Sequence, residues 1–495
     1  MNHLQQLYGH SLALLTDLYQ LTMAYGYWKT GRQDQEVVFS LFFRKPPYQG
    51  GYTVSAGLNN ALELIEQLHF TADDITYLAS ITGNDGKPLF EKDFLDYLHQ
   101  LRFTCNIDAI PEGTLVFPHQ PLLRVQGSLI QCQLLETALL TIVNYQTLIA
   151  TKAARVCQAA AGDIVLEFGL RRAQGIDGGI SASRAAYIGG CVGTSNVLAG
   201  KLYNIPVKGT HAHSWVMVFP EELEAFQTYA DVLPNNCIFL VDTYDTLQGV
   251  QNAIQIGIKL RQQGHEMAGI RLDSGDLLSL SQHARRLLDQ AGFPDALIVA
   301  SNDLDEYTIQ DLKNRGAAIN AWGVGTKLVT SYDEPALGGV YKLTAIKTPQ
   351  GIWDYRIKVS EQTIKTTNPA ILQVRRFYND QGFFLGDMLY DILQPPTQTP
   401  VLVNINDTQK LLKISPEVAY EDLLVPVMRH GKATITDNTL EQIRQHLQQQ
   451  LQRYPENFKR LNNPDSYPVS LEGGVFLLKE HLINQIKQSK TRYQM

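Results

Sequence analysis

Residues 297–326 read LIVASNDLDEYTIQDLKNRGAAINAWGVGT, and this stretch decides the fold. An apolar run, Leu297–Ala300, ends in Ser301 and Asn302; a helical stretch follows, and a second run at 318–322 ends in Gly323-Val324-Gly325-Thr326. Buried parallel strands read as unbroken aliphatic runs, and the crossovers between them are usually helical. The cadence recurs upstream. Runs at 164–168, 187–192, 205–207, 238–241 and 267–270 precede Arg171 and Arg172, Thr194 and Ser195, Thr210 and His213, Asp242, and Arg271 and Asp273 respectively. Seven runs spaced by about 20–30 residues fit βαβ units. They predict a parallel, TIM-like α/β barrel, in which the C-terminal strand ends converge on one mouth. That mouth would hold Arg, Thr, His, Asp, Ser and a glycine-rich turn, an inventory suited to a phosphorylated substrate.

At 495 residues the chain has room for two or three domains. Charged residues are sparse at 18%, which points to much buried surface and a subunit interface. A net charge of −7 argues against a general nucleic-acid binder, which is usually basic. No apolar run approaches the roughly 18 residues of a spanning helix. The N-terminus lacks a basic region leading into an apolar core, so no signal peptide is expected and the default location is cytoplasmic. Five widely separated cysteines without a Cys-x-x-Cys read as reduced, buried thiols.

Three regions are expected: an N-terminal domain over 1–162, the barrel over 163–346, and a C-terminal region over 347–495 whose first strands return to the N-terminal domain. Leu14, Leu18, Leu21 and Tyr25 recur at helical spacing. Residues 37–43 read as a buried strand, 50–57 as a loop, and 59–68 and 94–101 as helices. Short strands at 107–110, 114–117 and 122–125 are punctuated by Pro111, Gly113, Pro118 and Pro121. A long helix from about 131 to 160 bridges two domains. Strands follow at 340–346, 355–359 and 373–378, and a polar helix closes the chain near 477–487.

Gly323, Gly325 and Thr326 follow the last barrel strand, where phosphate sites in such barrels concentrate. Glycine admits backbone N–H groups to an anion and the Thr hydroxyl adds a donor; an ordinary tight turn explains the same residues. Ser301 and Asn302 add donors on the preceding strand end. Arg271 and Asp273 share a face of an extended segment: the Arg fork suits a carboxylate or phosphate and the acid suits ribose hydroxyls, with an internal ion pair as the alternative. His211 and His213 stand at i, i+2, which is not the helical zinc pair. His211 reads as a satisfied polar group. His213 becomes a base or nucleophile if Asp242 reaches one ring nitrogen and fixes the tautomer. Phe168, beside Arg171, offers either core packing or a flat face to an aromatic substrate.

Taken together these motifs resemble the nicotinate phosphoribosyltransferase family. The similarity runs from Leu14-Leu15-Thr16-Asp17-Leu18-Tyr19-Gln20-Leu21-Thr22-Met23 through Phe42-Phe43-Arg44. It continues through residues 167–175, Gly193-Thr194-Ser195-Asn196, Gly209-Thr210, Ala212-His213-Ser214, 271–276, 323–326 and 338–343. The resemblance implies an incomplete seven-stranded α/β barrel beside an N-terminal α/β sandwich, working as a homodimer with shared active sites. It implies synthesis of nicotinate mononucleotide from nicotinate and 5-phosphoribosyl 1-diphosphate, releasing diphosphate, coupled to ATP hydrolysis, with Mg²⁺ on the diphosphate, no dedicated metal site in the protein and no nucleic-acid or membrane partner. Phe168 and Tyr19 would sandwich the pyridine, Tyr19 coming from the partner subunit. Arg271 and Thr210 would lie at the nicotinate and ribose side, Arg171 and Arg44 at phosphates, and Asp273 at the ribose hydroxyls. Ser301, Asn302, Gly323, Gly325 and Thr326 would take the 5′-phosphate. His213 would be the phosphohistidine, oriented by Asp242.

The resemblance also places Ser195 where the nicotinamide enzyme of this fold carries an acid. An acid about 4 Å from a substrate carboxylate, at an effective dielectric near 20, costs roughly 4 kcal/mol. Ser195 therefore implies nicotinate over nicotinamide. A catalytically silent barrel is the alternative; the joint presence of His213, Asp242, Arg271 and Asp273 argues against it.

Overall fold

The computed structural model describes residues 3–360, 362, 365–396, 399–435 and 438–492. The chain forms two compact units: one from residues 1–148, 336–439 and 445–495, the other from 149–335 with 440–444.

The second unit is built on six parallel strands. These are β1 (Ile164–Glu167), β2 (Gly193–Thr194), β3 (Ile238–Leu240), β4 (Gly269–Leu272), β5 (Leu297–Ala300) and β6 (Ala321–Val324), in spatial order β2-β1-β6-β5-β4-β3. Their aliphatic composition follows from burial: Val165, Phe239, Leu240, Ile270, Leu272, Ile298, Ala300, Trp322 and Val324 are all buried. Trp322 is fully buried because its indole N–H donates to Asp163 at 3.0 Å, and Asp163 also pairs with Lys313 at 2.6 Å. Helices begin close behind the strand ends through side-chain caps. Asn196, Asp245, Asp276 and Asp305 accept first-turn N–H groups of Val197–Tyr203, Thr246–Gln262, Leu277–Gln290 and Glu306–Asn314.

Two of the seven expected strands differ. The apolar run at 187–192 belongs to the end of helix Ile176–Ile188 and the turn after it; the strand is the short Gly193–Thr194 instead. The last two turns of the helix have no exposed face to betray them, since residues 182–188 are all buried. Residues 205–207 supply only an isolated bridge, Thr194 to Val207. Pro206 has no N–H to give to a ladder; its carbonyl accepts the Thr194 N–H at 3.0 Å, and Lys208 N–H returns to Thr194 at 3.0 Å. Beyond this bridge the His211 ring accepts the Leu240 N–H at 3.2 Å. The segment 207–211 thus touches both edge strands, β2 by backbone and β3 by a side chain.

The first unit carries a seven-stranded sheet around Glu36–Phe43, whose last seven residues are buried. It pairs antiparallel with Gly339–Lys347 on one side and Leu123–Ser128 on the other. A six-stranded sheet holds Leu372–Tyr378 and Phe384–Asp391, with Val469–Glu472 parallel to the latter. At its centre Arg376 and Asp387, both fully buried, pair at 2.7 Å, and Tyr467 and Gln120 donate to the same carboxylate. The expected helix from 131 to 160 is two helices, Leu129–Leu134 and Glu136–Ala159, and the second carries the chain from one unit into the other. The strand expected at 355–359 is Trp353–Tyr355, and the stretch 50–57 contains the short strand Thr53–Val54. Among the described residues no helix is long and apolar enough to cross a membrane, and all five cysteines are free.

Candidate functional site

The strand ends β4 and β5 place Arg271 at the centre of a polar network. Its Nε donates to Ser301 Oγ at 2.8 Å, Nη1 to Thr210 Oγ1 at 3.0 Å and Nη2 to Asp273 Oδ1 at 2.9 Å. One guanidinium therefore ties three loops together. A guanidinium has five N–H groups, so one N–H on each terminal nitrogen is left for a ligand. Burial alone would raise the Asp273 carboxyl. The Ser301 hydroxyl, the Arg271 guanidinium and His213 outweigh it and hold the group below the usual carboxylate range. Arg271 and Asp273 thus form the internal ion pair and remain open to a ligand at once; the two readings are compatible.

His213 opens the short helix His213–Met217, with its side chain 40% exposed. The expected contact with Asp242 is indirect: Nε2 lies 4.0 Å from Asp242 Oδ1 and 3.7 Å from Asp273 Oδ2, beyond hydrogen-bond reach. The direct partner is Thr243, whose Oγ1 is 3.2 Å from Nδ1. Asp242 spends Oδ2 on the Asp273 N–H at 3.0 Å and the Ser274 hydroxyl at 2.5 Å. Its Oδ1, on a side chain only 1% exposed, has no hydrogen-bond partner among the described residues and lies 4.0 Å from His213 Nε2. His211 is the satisfied polar group expected. Burial pushes its pKa down to about 4; the Ala212 carbonyl pulls upward against it, and the neighbouring Arg271 and His213 charges add smaller downward pushes.

Phe168 leaves β1 with its N–H on the Val324 carbonyl at 2.8 Å, and its ring lies 5.9 Å from the Arg271 guanidinium carbon. Gly323 makes room for that ring: a Cβ at 323 would stand 2.6 Å from Phe168 Cδ2. Gly325 sits before helix Thr326–Val329, and a Cβ there would meet the Phe168 carbonyl oxygen at 3.1 Å. The two glycines therefore seat Phe168 against the 325–326 loop. Asn302 has φ of 123°, a conformation that side chains rarely adopt, and it is exposed at the end of β5. Arg171 is exposed and has no carboxylate partner among the described residues.

Ser195 follows β2 with its N–H on the Glu167 carbonyl at 3.0 Å. Glu167 itself, 1% exposed, accepts from Gly169 N–H, Ser183 Oγ at 2.8 Å and Thr194 Oγ1 at 2.5 Å. Glu167, Thr243 and Ser274 went unrecognised in the sequence. The only signal for Glu167 was an acid inside an apolar strand.

Tyr19 and Arg44 belong to the first unit. Tyr19 is exposed over nearly half its surface; the partial burial of the rest, then the Glu136 and Asp17 charges, raise its phenol above the usual range. Burial lowers the Arg44 guanidinium.

Three family models match the chain. The nicotinate phosphoribosyltransferase N-terminal domain matches 14–144, the nicotinate phosphoribosyltransferase family 165–380, and the nicotinate phosphoribosyltransferase C-terminal domain 372–479. The nicotinate phosphoribosyltransferase of Bacillus subtilis is 43% identical over 491 residues, covering 96% of both chains. That of Dictyostelium discoideum is 39% identical, covering 96% of this chain and 88% of its own. The crystal structure of human nicotinic acid phosphoribosyltransferase superposes with a TM-score of 0.83 at 32% identity, over 94% of this chain and 99% of that one. A nicotinate-nucleotide pyrophosphorylase from Pyrococcus furiosus shares the fold, with a TM-score of 0.66 at 21% identity.

Proposed function

The chain belongs to the nicotinate phosphoribosyltransferase family, and from that premise we propose that it joins nicotinate to 5-phosphoribosyl 1-diphosphate. The products are nicotinate mononucleotide and diphosphate, the entry step of NAD salvage from nicotinate, and ATP is consumed in the same cycle. The observation that carries this reading is one network joining His213, Asp273, Arg271, Thr210, Ser301 and Phe168 across separate strand ends. It supports a barrel of six strands completed by the 205–207 segment, with the site at its mouth.

The pyridine lies on the Phe168 ring, with Tyr19 of a partner subunit on its other face, and the free N–H groups of Arg271 take the nicotinate carboxylate. Ser195, uncharged, leaves that carboxylate unopposed. Asp273 holds ribose hydroxyls through Oδ2, the oxygen not committed to Arg271 and Ser301. Ser301, Asn302, Gly323, Gly325 and Thr326 surround the 5′-phosphate, and Arg171 meets the diphosphate. The pyridine nitrogen attacks the anomeric carbon with its own lone pair as the bond to diphosphate breaks. The transition state is oxocarbenium-like, so alignment and stabilisation of the leaving group dominate and no strong base is required.

His213 accepts the γ-phosphoryl of ATP, releasing ADP. Its Nε2 faces two carboxylates, which favour a proton there and leave Nδ1, opposite Thr243, as the nucleophilic nitrogen. Mg²⁺ would be held mainly by the diphosphate, where it would neutralise charge on the leaving group. A homodimer in the cytoplasm completes the reading.

The test is a steady-state assay of nicotinate mononucleotide formation with and without ATP. His213→Ala should abolish ATP stimulation and leave a slow ATP-independent rate. Full stimulation in that variant would overturn the phosphohistidine assignment.

A further inference from the structure

The backbone around Phe168 and around Ser195 is tied by one set of buried polar side chains. Glu167 reaches forward to accept the Gly169 N–H, so residues 167 and 169 are hooked together around Phe168. Its other oxygen accepts two hydroxyls, Ser183 Oγ at 2.8 Å and Thr194 Oγ1 at 2.5 Å. Thr194 Oγ1 in turn accepts the Asn196 N–H at 2.9 Å, closing a loop around Ser195. Asn196 donates to Ser183 Oγ at 3.2 Å and to the Gly179 carbonyl at 3.3 Å, and its oxygen caps the next helix at Ala199 N–H, 3.2 Å away.

Glu167, Ser183, Thr194 and Asn196 are each no more than 2% exposed. A buried, fully bonded polar network has few alternative arrangements, because breaking one bond strands a partner away from water. Gly323 leaves room for the Phe168 ring, which a Cβ at 323 would meet at 2.6 Å. The two residues that bracket the pyridine and its carboxylate in the proposed complex are therefore immediate neighbours of three members of one network, Glu167, Thr194 and Asn196.

We propose that Glu167, with Thr194, Ser183 and Asn196, is a positioning cluster that fixes Phe168 and Ser195 in register and so sets affinity and selectivity for the pyridine substrate. The inference rests on the nicotinate reading above and adds specificity residues to it. The cluster touches no reacting atom, so its loss weakens pyridine recognition and spares the phosphoribosyl side, which is held by the separate Arg271 network.

Thr194→Val keeps the side-chain shape and removes the hydroxyl; Thr194→Ser keeps the hydroxyl; Glu167→Gln keeps the size and removes the charge. Full-length variants are compared for kcat, for the Michaelis constants of nicotinate and of the phosphoribosyl donor, and for the nicotinate-to-nicotinamide ratio of kcat/KM. Loss of the Thr194 hydroxyl, with its bonds to Glu167 and to the Asn196 N–H, predicts a rise of at least about tenfold in the nicotinate KM for Thr194→Val, a reduced nicotinate-to-nicotinamide ratio, and recovery in Thr194→Ser. The Michaelis constant of the phosphoribosyl donor should stay within about twofold, since its proposed contacts lie on another network. An unmoved nicotinate KM in Thr194→Val, or equal rises for both substrates, would overturn the positioning role. A wild-type enzyme silent on nicotinate would sink the substrate assignment and this inference with it, a result distinct from either.

Discussion

Replacing Arg271 with lysine keeps the positive charge and removes the fork. The guanidinium donates to Ser301, Thr210 and Asp273 at 2.8, 3.0 and 2.9 Å from three different nitrogens. An ammonium is a single point of donation and reaches one of these acceptors well. Two bonds are then lost or badly bent, at about 1.5 kcal/mol each for a charged donor, so the expected cost is about 3 kcal/mol, or about a hundredfold. The cost falls on binding, because the three loops lose their common tie before the substrate arrives and the ligand loses its fork. Initial rates against nicotinate, with the phosphoribosyl donor saturating, should show that drop in kcat/KM, mainly as a higher KM. A value within threefold of wild type would refute the claim that the fork assembles the mouth. A collapse in thermal stability, with lost secondary structure, would make Arg271 a fold residue and equally contradict the account.

The segment 207–211 should make stability fall at mildly acidic pH. His211 must be neutral to accept the Leu240 N–H, and its folded pKa is down to about 4 against an unfolded value near 6.5. Between those values the unfolded chain binds the extra proton, so this contribution is complete above pH 6.5 and lost on descent towards 4, by about 3 kcal/mol. His211→Gln retains an acceptor without a proton to gain, and urea unfolding at several pH values should show a flatter profile for it. Parallel profiles would refute the assignment. Ser195→Asp should lower kcat/KM for nicotinate by up to about a thousandfold, from about 4 kcal/mol of repulsion at 4 Å, and favour nicotinamide. An unchanged ratio would place Ser195 away from the carboxylate.

What the sequence revealed follows from which residues leave a hydrophobic trace. Strands β4, β5 and β6 are buried aliphatic runs, and Arg271, Asp273 and Ser301 are polar residues in or just beyond them, so both were legible. Strand β2 is Gly193–Thr194 and has no apolar signature; the apolar run beside it is the end of a helix buried on every side. Pro206 limits the 205–207 run to a bridge, a consequence of its missing N–H that composition alone hides. The glycines at 323 and 325 suit a phosphate turn by their sequence, yet the steric demand visible at Gly323 is the Phe168 ring, a partner 155 positions away by numbering. Thr243 and Glu167 were missed because their roles arise from what the fold brings near them: the ring of His213 and the hydroxyl groups of Ser183 and Thr194.

The most direct measurement is a crystal structure of the enzyme with nicotinate mononucleotide bound. The account predicts the pyridine ring against Phe168, its carboxylate on Arg271, the ribose hydroxyls at Asp273 and the phosphate among Ser301, Asn302, Gly325 and Thr326. A nucleotide bound elsewhere, or with its phosphate at Arg271 and its ring away from Phe168, would contradict it.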